Sequence, residues 1–203
     1  MTQLPENNTD FKAICNTGPL ISAFQSNSLA LLVQIFAEIR LSNVCLSELV
    51  RHGWEAEVQA ATPPLAIISL TTREEQRAYT IAEQIAQHPA NNDPVIENHL
   101  GEAQAITLAL RPEYQTDVLL LDELAARAVA RQLGIKLSGF PGVLLLAVQI
   151  GLITADDLKR RLEQCRQQGT YYGVPFIQRV YEMARQNTRQ GWNRNQFMNQ
   201  RRR

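Results

Sequence analysis

From Phe11 the chain reads FKAIC and then NTGPLISAF. Apolar Phe11, Ala13, Ile14 and Cys15 form a short buried-strand pattern, and Thr17, Gly18 and Pro19 open a helix carrying Leu20, Ile21 and Phe24. Asn16 thus falls at a strand's carboxyl end. SLALLVQIFAEIR then sets Leu31, Leu32, Ile35, Phe36 and Ile39 at helical spacing, with Gln34 and Glu38 off the stripe. RLSNVCLSELVRHG predicts a brief strand or extended turn, a cap at Ser42 or Asn43, and a helix through Val44, Leu49 and Val50 that ends at Gly53. Glu48 lies on that helix. Thr62, Pro63 and Pro64 break the chain before LAIISL, a strand. TTREEQRAYTIAEQIAQ follows as a helix, in which Thr72 and Glu75 have capping-box spacing.

QHPANNDPVIENHL, with its prolines, asparagines and Asp93, predicts an irregular loop that runs into the helix GEAQAITLALR, with Glu102 in its first turn. DVLLLD is the strongest strand, followed by the helix ELAARAVARQLG and the short strand IKLSG. Continuous apolar strands separated by a helix mark a parallel sheet buried on both faces. Helices are then expected over GVLLLAVQIGLI, over DLKRRLEQCRQQ with Thr154 and Asp157 as its cap, and from Val174 to Arg185. From Gln186 the chain has Asn, Gln and Arg without apolar periodicity, the pattern of a segment unstructured in isolation. The expected organisation is a polar leader (1–10), an α/β domain (11–153), a helical extension (154–185) and a basic tail (186–203).

With 203 residues, 45% hydrophobic and 20% charged, the composition is that of an ordinary globular protein. No apolar run approaches the roughly 18 residues of a membrane span. The leader MTQLPENNTD has neither a basic flank nor an apolar signal core, so the expectation is a cytoplasmic protein without membrane contact. Cys15, Cys45 and Cys165 are odd in number and lack CxxC spacing, which argues against a disulfide framework or zinc knuckle and for small buried hydrophobes. The balanced formal charge hides an asymmetry: from Tyr171 onward seven arginines face the single acid Glu182, leaving 13 basic against 19 acidic residues before it. Arg189, Trp192 and Arg194 give the tail the composition of a nucleic-acid contact, arginines for phosphates and aromatics for unpaired bases. A basic tail lying on an acidic body has the same composition. There is no GxGxxG or Walker loop to support a nucleotide cofactor.

In a parallel α/β sheet the functional crevice lies outside the carboxyl ends of the strands. Asn16 and Asp122 sit at such ends, Glu102 in the first turn of a helix and Glu48 within another. If they converge, three carboxylates and an amide oxygen meet, and clustered carboxylates require a neutralising cation, a hard ion such as Mg²⁺ or Mn²⁺. Such an ion serves phosphodiester cleavage. Taken singly, Glu48 and Glu102 read more readily as solvated helix residues and Asp122 as a helix cap. His52, His88 and His99 have no metal-ligand spacing, and surface roles are expected for all three.

NTGPLISAF, SELV, LGEAQAITLAL and LLLDELAARAVARQLGIKLSGFPGVLLLAVQIGLI, in that order, resemble the PIN-domain family over residues 12–153. They are closest to a prokaryotic branch related to the toxins of toxin–antitoxin pairs. The resemblance implies a three-layer α/β/α sandwich with a central parallel sheet, here with extra C-terminal helices. It further implies a Mg²⁺- or Mn²⁺-dependent endoribonuclease, with single-stranded RNA as substrate and an antitoxin protein and a second copy of the chain as partners. It carries the catalytic and metal-ligand roles onto Glu48, Glu102 and Asp122, and places the first-strand acid at position 16, where this sequence has Asn16 instead. An amide oxygen coordinates a hard cation but lacks the charge that sets affinity. Three outcomes stay open: a weak-metal enzyme with Glu123 as a reserve ligand, an inactive form whether natural or engineered, and a binding module that keeps the fold. Thr17 either orients a ligand or serves the turn before Pro19. Arg127 either reaches a substrate phosphate or forms a surface ion pair.

Overall fold

The computed structural model describes residues 11–60, 65–115 and 117–189. The leader, the break at Thr62 to Pro64, and Trp192 and Arg194 of the tail lie outside the described residues. In chain order the elements are β1 (Lys12–Cys15), α1 (Thr17–Gln25), α2 (Leu29–Ile35), β2 (Glu38–Ser42), α3 (Asn43–Arg51), α4 (Glu55–Ala60), β3 (Leu65–Ile68) and α5 (Thr72–Ala86). After them come α6 (Leu100–Ala109), β4 (Val118–Leu120), α7 (Leu124–Gln132), β5 (Leu137–Ser138), α8 (Phe140–Gln149), α9 (Ala155–Gln167) and α10 (Val174–Arg189). The chain forms two compact units that divide after Phe140.

The first unit is an α/β sandwich of three layers around a five-stranded sheet, every strand pair parallel, in the order β3-β2-β1-β4-β5. Side chains alternate across a sheet, so Ile14, Leu119 and Leu121 face one way, into a cluster with Ile81 and Ile85 of α5, Ala103 and Ile106 of α6, and Ala126 and Val129 of α7. The chain steps outward from β1 to β3, then returns to the far side of β1 to lay down β4. This reversal splays the connections leaving β1 and β4 apart and opens a crevice at their carboxyl ends. Asn16 and Asp122 are placed there by topology alone.

Two local expectations need correcting. The helix expected to carry Ile39 stops at Ile35. Phe36 is already extended, and Ile39 sits on β2, paired with Ala13 and Leu65. A central strand is buried on both faces, so Ile39, Arg40 and Leu41 are all buried and do not show the alternation that separates strand from helix. The capping box of α5 is formed by Thr71 and Glu74, not Thr72 and Glu75: the Glu74 N–H donates to Thr71 Oγ1 at 3.4 Å and the Thr71 N–H to Glu74 Oε2 at 2.7 Å. Paired threonines and paired glutamates offer the same spacing in two frames. Arg111 favours one of them, donating from Nε to Glu74 Oε1 at 2.7 Å and from Nη2 to Glu74 Oε2 at 2.9 Å and to the Ser69 carbonyl at 2.9 Å.

That bidentate pair holds the Glu74 carboxyl down to about 2, the Arg111 hydrogen bonds being the largest cause. A depressed acid stabilises the fold in full above its unfolded value, about 4.5, and loses that contribution as pH falls through its folded value. Arg111→Met should therefore be less stable than wild type at pH 7, with the gap closing as pH falls from 4.5 towards 2. Urea unfolding at pH 7, 4.5 and 3 measures this; a gap that is constant with pH would contradict it.

In the second unit α9 and α10 bury Leu158, Leu162 and Cys165 and Ile177, Val180 and Ala184 respectively. The Thr154–Asp157 capping box forms as expected, and Tyr181 Oη donates to Asp156 Oδ1 at 2.8 Å. α10 continues to Arg189, four residues past the expected stop, because no glycine or proline intervenes between Pro175 and Gly191. Residues 186–189 of the expected tail are thus helical, and Arg189 is the last residue of α10. All three cysteines are buried and none of them forms a disulfide.

Candidate functional site

Four side chains meet above β1. Asn16 is 4% exposed and is held by its own N–H, which donates to the Leu120 carbonyl at 3.0 Å across the β1–β4 seam. It is the N-cap of α1, its Oδ1 accepting from the Thr17 N–H. Its Nδ2 donates to Glu102 Oε1 at 3.1 Å. Thr17 Oγ1 donates to Glu48 Oε2. The amide and the hydroxyl at the start of α1 therefore each orient one carboxylate, Glu102 from α6 and Glu48 from α3.

Glu102 has its carboxyl raised above the usual range, first by burial and then by the charge of Glu48 beside it, while the Asn16 amide works in the opposite direction. Two glutamates facing each other in a half-buried crevice form a like-charge pair. Gly101 makes the approach possible: a Cβ there would lie 2.7 and 2.9 Å from the two Glu48 oxygens. Cys45 closes the floor, its thiol within 3.6 Å of Asn16 Oδ1 and 3.5 Å of the Gly101 carbonyl. Burial pushes that thiol up to about 11, so it is a packing group rather than a nucleophile.

Asp122 lies just past β4, the strand next to β1, with its Cβ 3.9 Å from where a Gly18 Cβ would be. Its Oδ1 accepts from the Phe140 N–H at 2.9 Å and lies 2.3 Å from where a Gly139 Cβ would be. The sequence expectation of three acids and Asn16 around one ion is thus brought together only in part: Asn16, Glu48 and Glu102 converge, and Asp122 flanks them. Among the described residues no group of three or more His, Cys, Asp or Glu is arranged to hold a metal ion. Glu123, the expected reserve ligand, caps α7 with both oxygens, accepting from Ala125 N at 2.9 Å and Ala126 N at 2.5 Å. Arg127 folds back on β4, Nη1 donating to the Leu121 carbonyl.

His99 corrects the expectation of surface histidines. It is buried, with Nε2 2.8 Å from the Asp93 carbonyl, and it holds the loop that precedes α6. Gly101 entered the sequence reading only as part of the motif LGEAQAITLAL and Cys45 only as a small buried hydrophobe, because their part is to leave space and to close a floor.

A family model described as a PIN domain matches residues 12–186. The chain belongs to the PIN-domain family. The match runs through both compact units, beyond the 12–153 over which the sequence motifs lie. No curated protein matches the chain. PIN domains have a nuclease-type fold and generally depend on a divalent metal, and the family suggests RNA binding. No helix among the described residues is long and apolar enough to cross a membrane.

The donor set of this PIN domain fits a hard cation in a particular way. Asn16 Oδ1 is committed inward to the Thr17 N–H, so the amide is a poor ligand as it stands. Glu48 and Glu102 remain as two adjacent carboxylates whose repulsion a cation would relieve. Mg²⁺ is commonly held by one or two carboxylates, with waters and substrate phosphate completing its shell. Gly101 leaves the space that this requires of Glu48. Gly101→Ala should consequently fold at least as well as wild type, since Ala outranks Gly in a helix by about 1 kcal/mol and the clash is with a side-chain tip. It should nevertheless weaken Mn²⁺ binding about tenfold or more by displacing Glu48. Melting curves and Mn²⁺ titration check the two halves; unchanged Mn²⁺ affinity would contradict the role given to Gly101.

Proposed function

We propose that this PIN domain is a metal-dependent endoribonuclease that hydrolyses single-stranded RNA, with Mg²⁺ or Mn²⁺ held by Glu48 and Glu102. The observation that carries this reading is the like-charge pair these residues form at the sheet's switch point, oriented by Thr17 and Asn16. A divalent cation bound there supplies positive charge to the phosphodiester oxygens. Asp122, steadied by the Phe140 N–H, is the group we assign to take the proton of the attacking water. As water adds to phosphorus and the P–O ester bond breaks, one product keeps the phosphate, and the other leaves as an alkoxide that takes up a proton from solvent to become a hydroxyl, Asp122 later returning its own proton to solvent. Thr17 acts by positioning Glu48, and Arg127 by fixing the end of β4 beside Asp122.

Asn16 favours a second reading, a PIN domain that binds RNA without cutting it, because the neutral amide removes one charge from the cation site. The test uses labelled single-stranded RNA with Mn²⁺. Cleavage by wild type, lost by at least about a hundredfold in Glu102→Gln and Asp122→Ala, supports the enzyme. Cleavage only after Asn16→Asp supports the binding module. No binding and no cleavage by any of them sinks both.

A further inference from the structure

Beside Glu48 a cavity of about 580 Å³ lies between α3 and the turn Ile96–His99. Ser47, Arg51 and His52 line one wall, with Glu97 and Asn98 facing them. Its volume lies within the range of about 300–1,000 Å³ typical of small-ligand sites, and its lining combines the apolar Val44 and Leu100 with charged and hydrogen-bonding side chains, a mixture that suits the base and phosphate of a nucleotide.

We propose that this cavity seats one unpaired nucleotide of the RNA strand adjacent to the cleaved bond, with its phosphate on Arg51 and its base edge on Glu97 and Asn98. The inference rests on the ribonuclease reading and adds to it a base preference. Arg51 is exposed and makes no ion pair among the described residues. It is the basic residue in the last turn of α3, and the helix dipole accounts for a cation there but not for a cavity beside it. Glu48 and Glu97 repel phosphate, so the Arg51 and His52 end is the one place in the cavity where the backbone can lie. Asn98 Nδ2 donates to Asp93 Oδ2 at 2.8 Å, which leaves its carbonyl oxygen as the acceptor. Glu97 and Asn98 together offer acceptors, and acceptors select bases that present an amino group. Cytosine N4 meets that requirement, whereas the O4 that uracil has in its place does not.

The test is fluorescence anisotropy of the full chain, in EDTA to prevent cleavage, with labelled 12-nucleotide oligo(C) and oligo(U) across a salt series. Wild type should bind oligo(C) several-fold more tightly than oligo(U). Arg51→Ala should weaken both about tenfold and lower the slope of log affinity against log salt by about 0.7, the loss of one phosphate contact on a single strand. Glu97→Ala should level the two oligomers. Glu97 and Arg51 are exposed, so the variants should fold, and circular dichroism verifies it. If wild type cleaves RNA but Arg51→Ala keeps its affinity and slope, the cavity assignment is wrong and the nuclease reading stands. An equal C and U affinity in wild type overturns the base assignment. A wild type that neither binds nor cleaves RNA removes the reading itself, and the cavity assignment with it.

Discussion

Asn16→Asp should make the stability of this protein depend on a divalent metal. In the absence of metal the substitution replaces an amide that donates to Glu102 Oε1 by a carboxylate that cannot, in a position only 4% exposed. A third negative charge then faces Glu48 and Glu102, and the lost donor leaves Glu102 unpaired on that side. Breaking a hydrogen bond to a charged group and adding an unpaired buried charge should cost about 2–4 kcal/mol, a fall of several degrees in melting temperature. With Mn²⁺ at about 100 times its dissociation constant, binding to the folded state returns about 2.7 kcal/mol. The variant should therefore melt below wild type in EDTA and recover most or all of the difference in Mn²⁺, while wild type responds less. Thermal melts in the two buffers decide it. A variant that melts like wild type in EDTA and ignores Mn²⁺ would mean that position 16 does not face the acids electrostatically.

Arg40→Leu should be the most damaging substitution away from the site. Arg40 is 6% exposed in the middle of the sheet, donates from Nε to Glu38 Oε1 at 2.5 Å and from Nη1 to Asp117, and lies 4.0 Å over the ring of Tyr114. Asp117 already has its carboxyl raised, burial outweighing the opposing pull of Arg40. Removing the arginine strands a buried carboxylate, a loss of about 3–5 kcal/mol. The sign with pH follows. An acid whose folded value is raised costs stability where it is ionised, so the deficit should be largest at neutral pH and shrink as acid protonates Asp117. Urea unfolding at pH 7 and 5 should show this, and adding Asp117→Asn to Arg40→Leu should recover part of the loss. A deficit independent of both pH and Asp117 would place the energy in packing instead.

The sequence made the layout of this fold legible where topology and composition agree. Continuous apolar runs at Ala13 to Cys15 and Val118 to Leu121, with a helix after each, could hardly be anything but parallel strands. The carboxyl ends of those strands then had to carry Asn16 and Asp122. β2 was harder to read, because Ile39 and Leu41 on one face and Arg40 on the other are all buried. An arginine between two aliphatic residues looks like the polar face of a helix unless its partners are known, and Asp117 lies 77 residues away. Within the candidate site, Glu48 and Glu102 were singled out through the motifs SELV and LGEAQAITLAL that resemble the PIN family, because taken alone each reads as a solvated helix residue. Their orientation could not be read. Nothing in the string shows that Asn16 donates to one acid while Thr17 donates to the other, or that Gly101 is small so that Glu48 can come close. Asp122 could be placed in the crevice but not aimed, because its aim is set by a backbone N–H eighteen residues later, at Phe140.

Metal-dependent cleavage requires Glu48 and Glu102 to act as one cation-holding pair, and Mn²⁺ titration followed by electron paramagnetic resonance reads this directly. Wild type should bind one Mn²⁺ per chain, and Glu102→Gln should weaken that binding at least tenfold while keeping its melting temperature within a few degrees. A wild type that binds no Mn²⁺ at millimolar concentration, or a Glu102→Gln variant that binds it as well as wild type, would contradict the account.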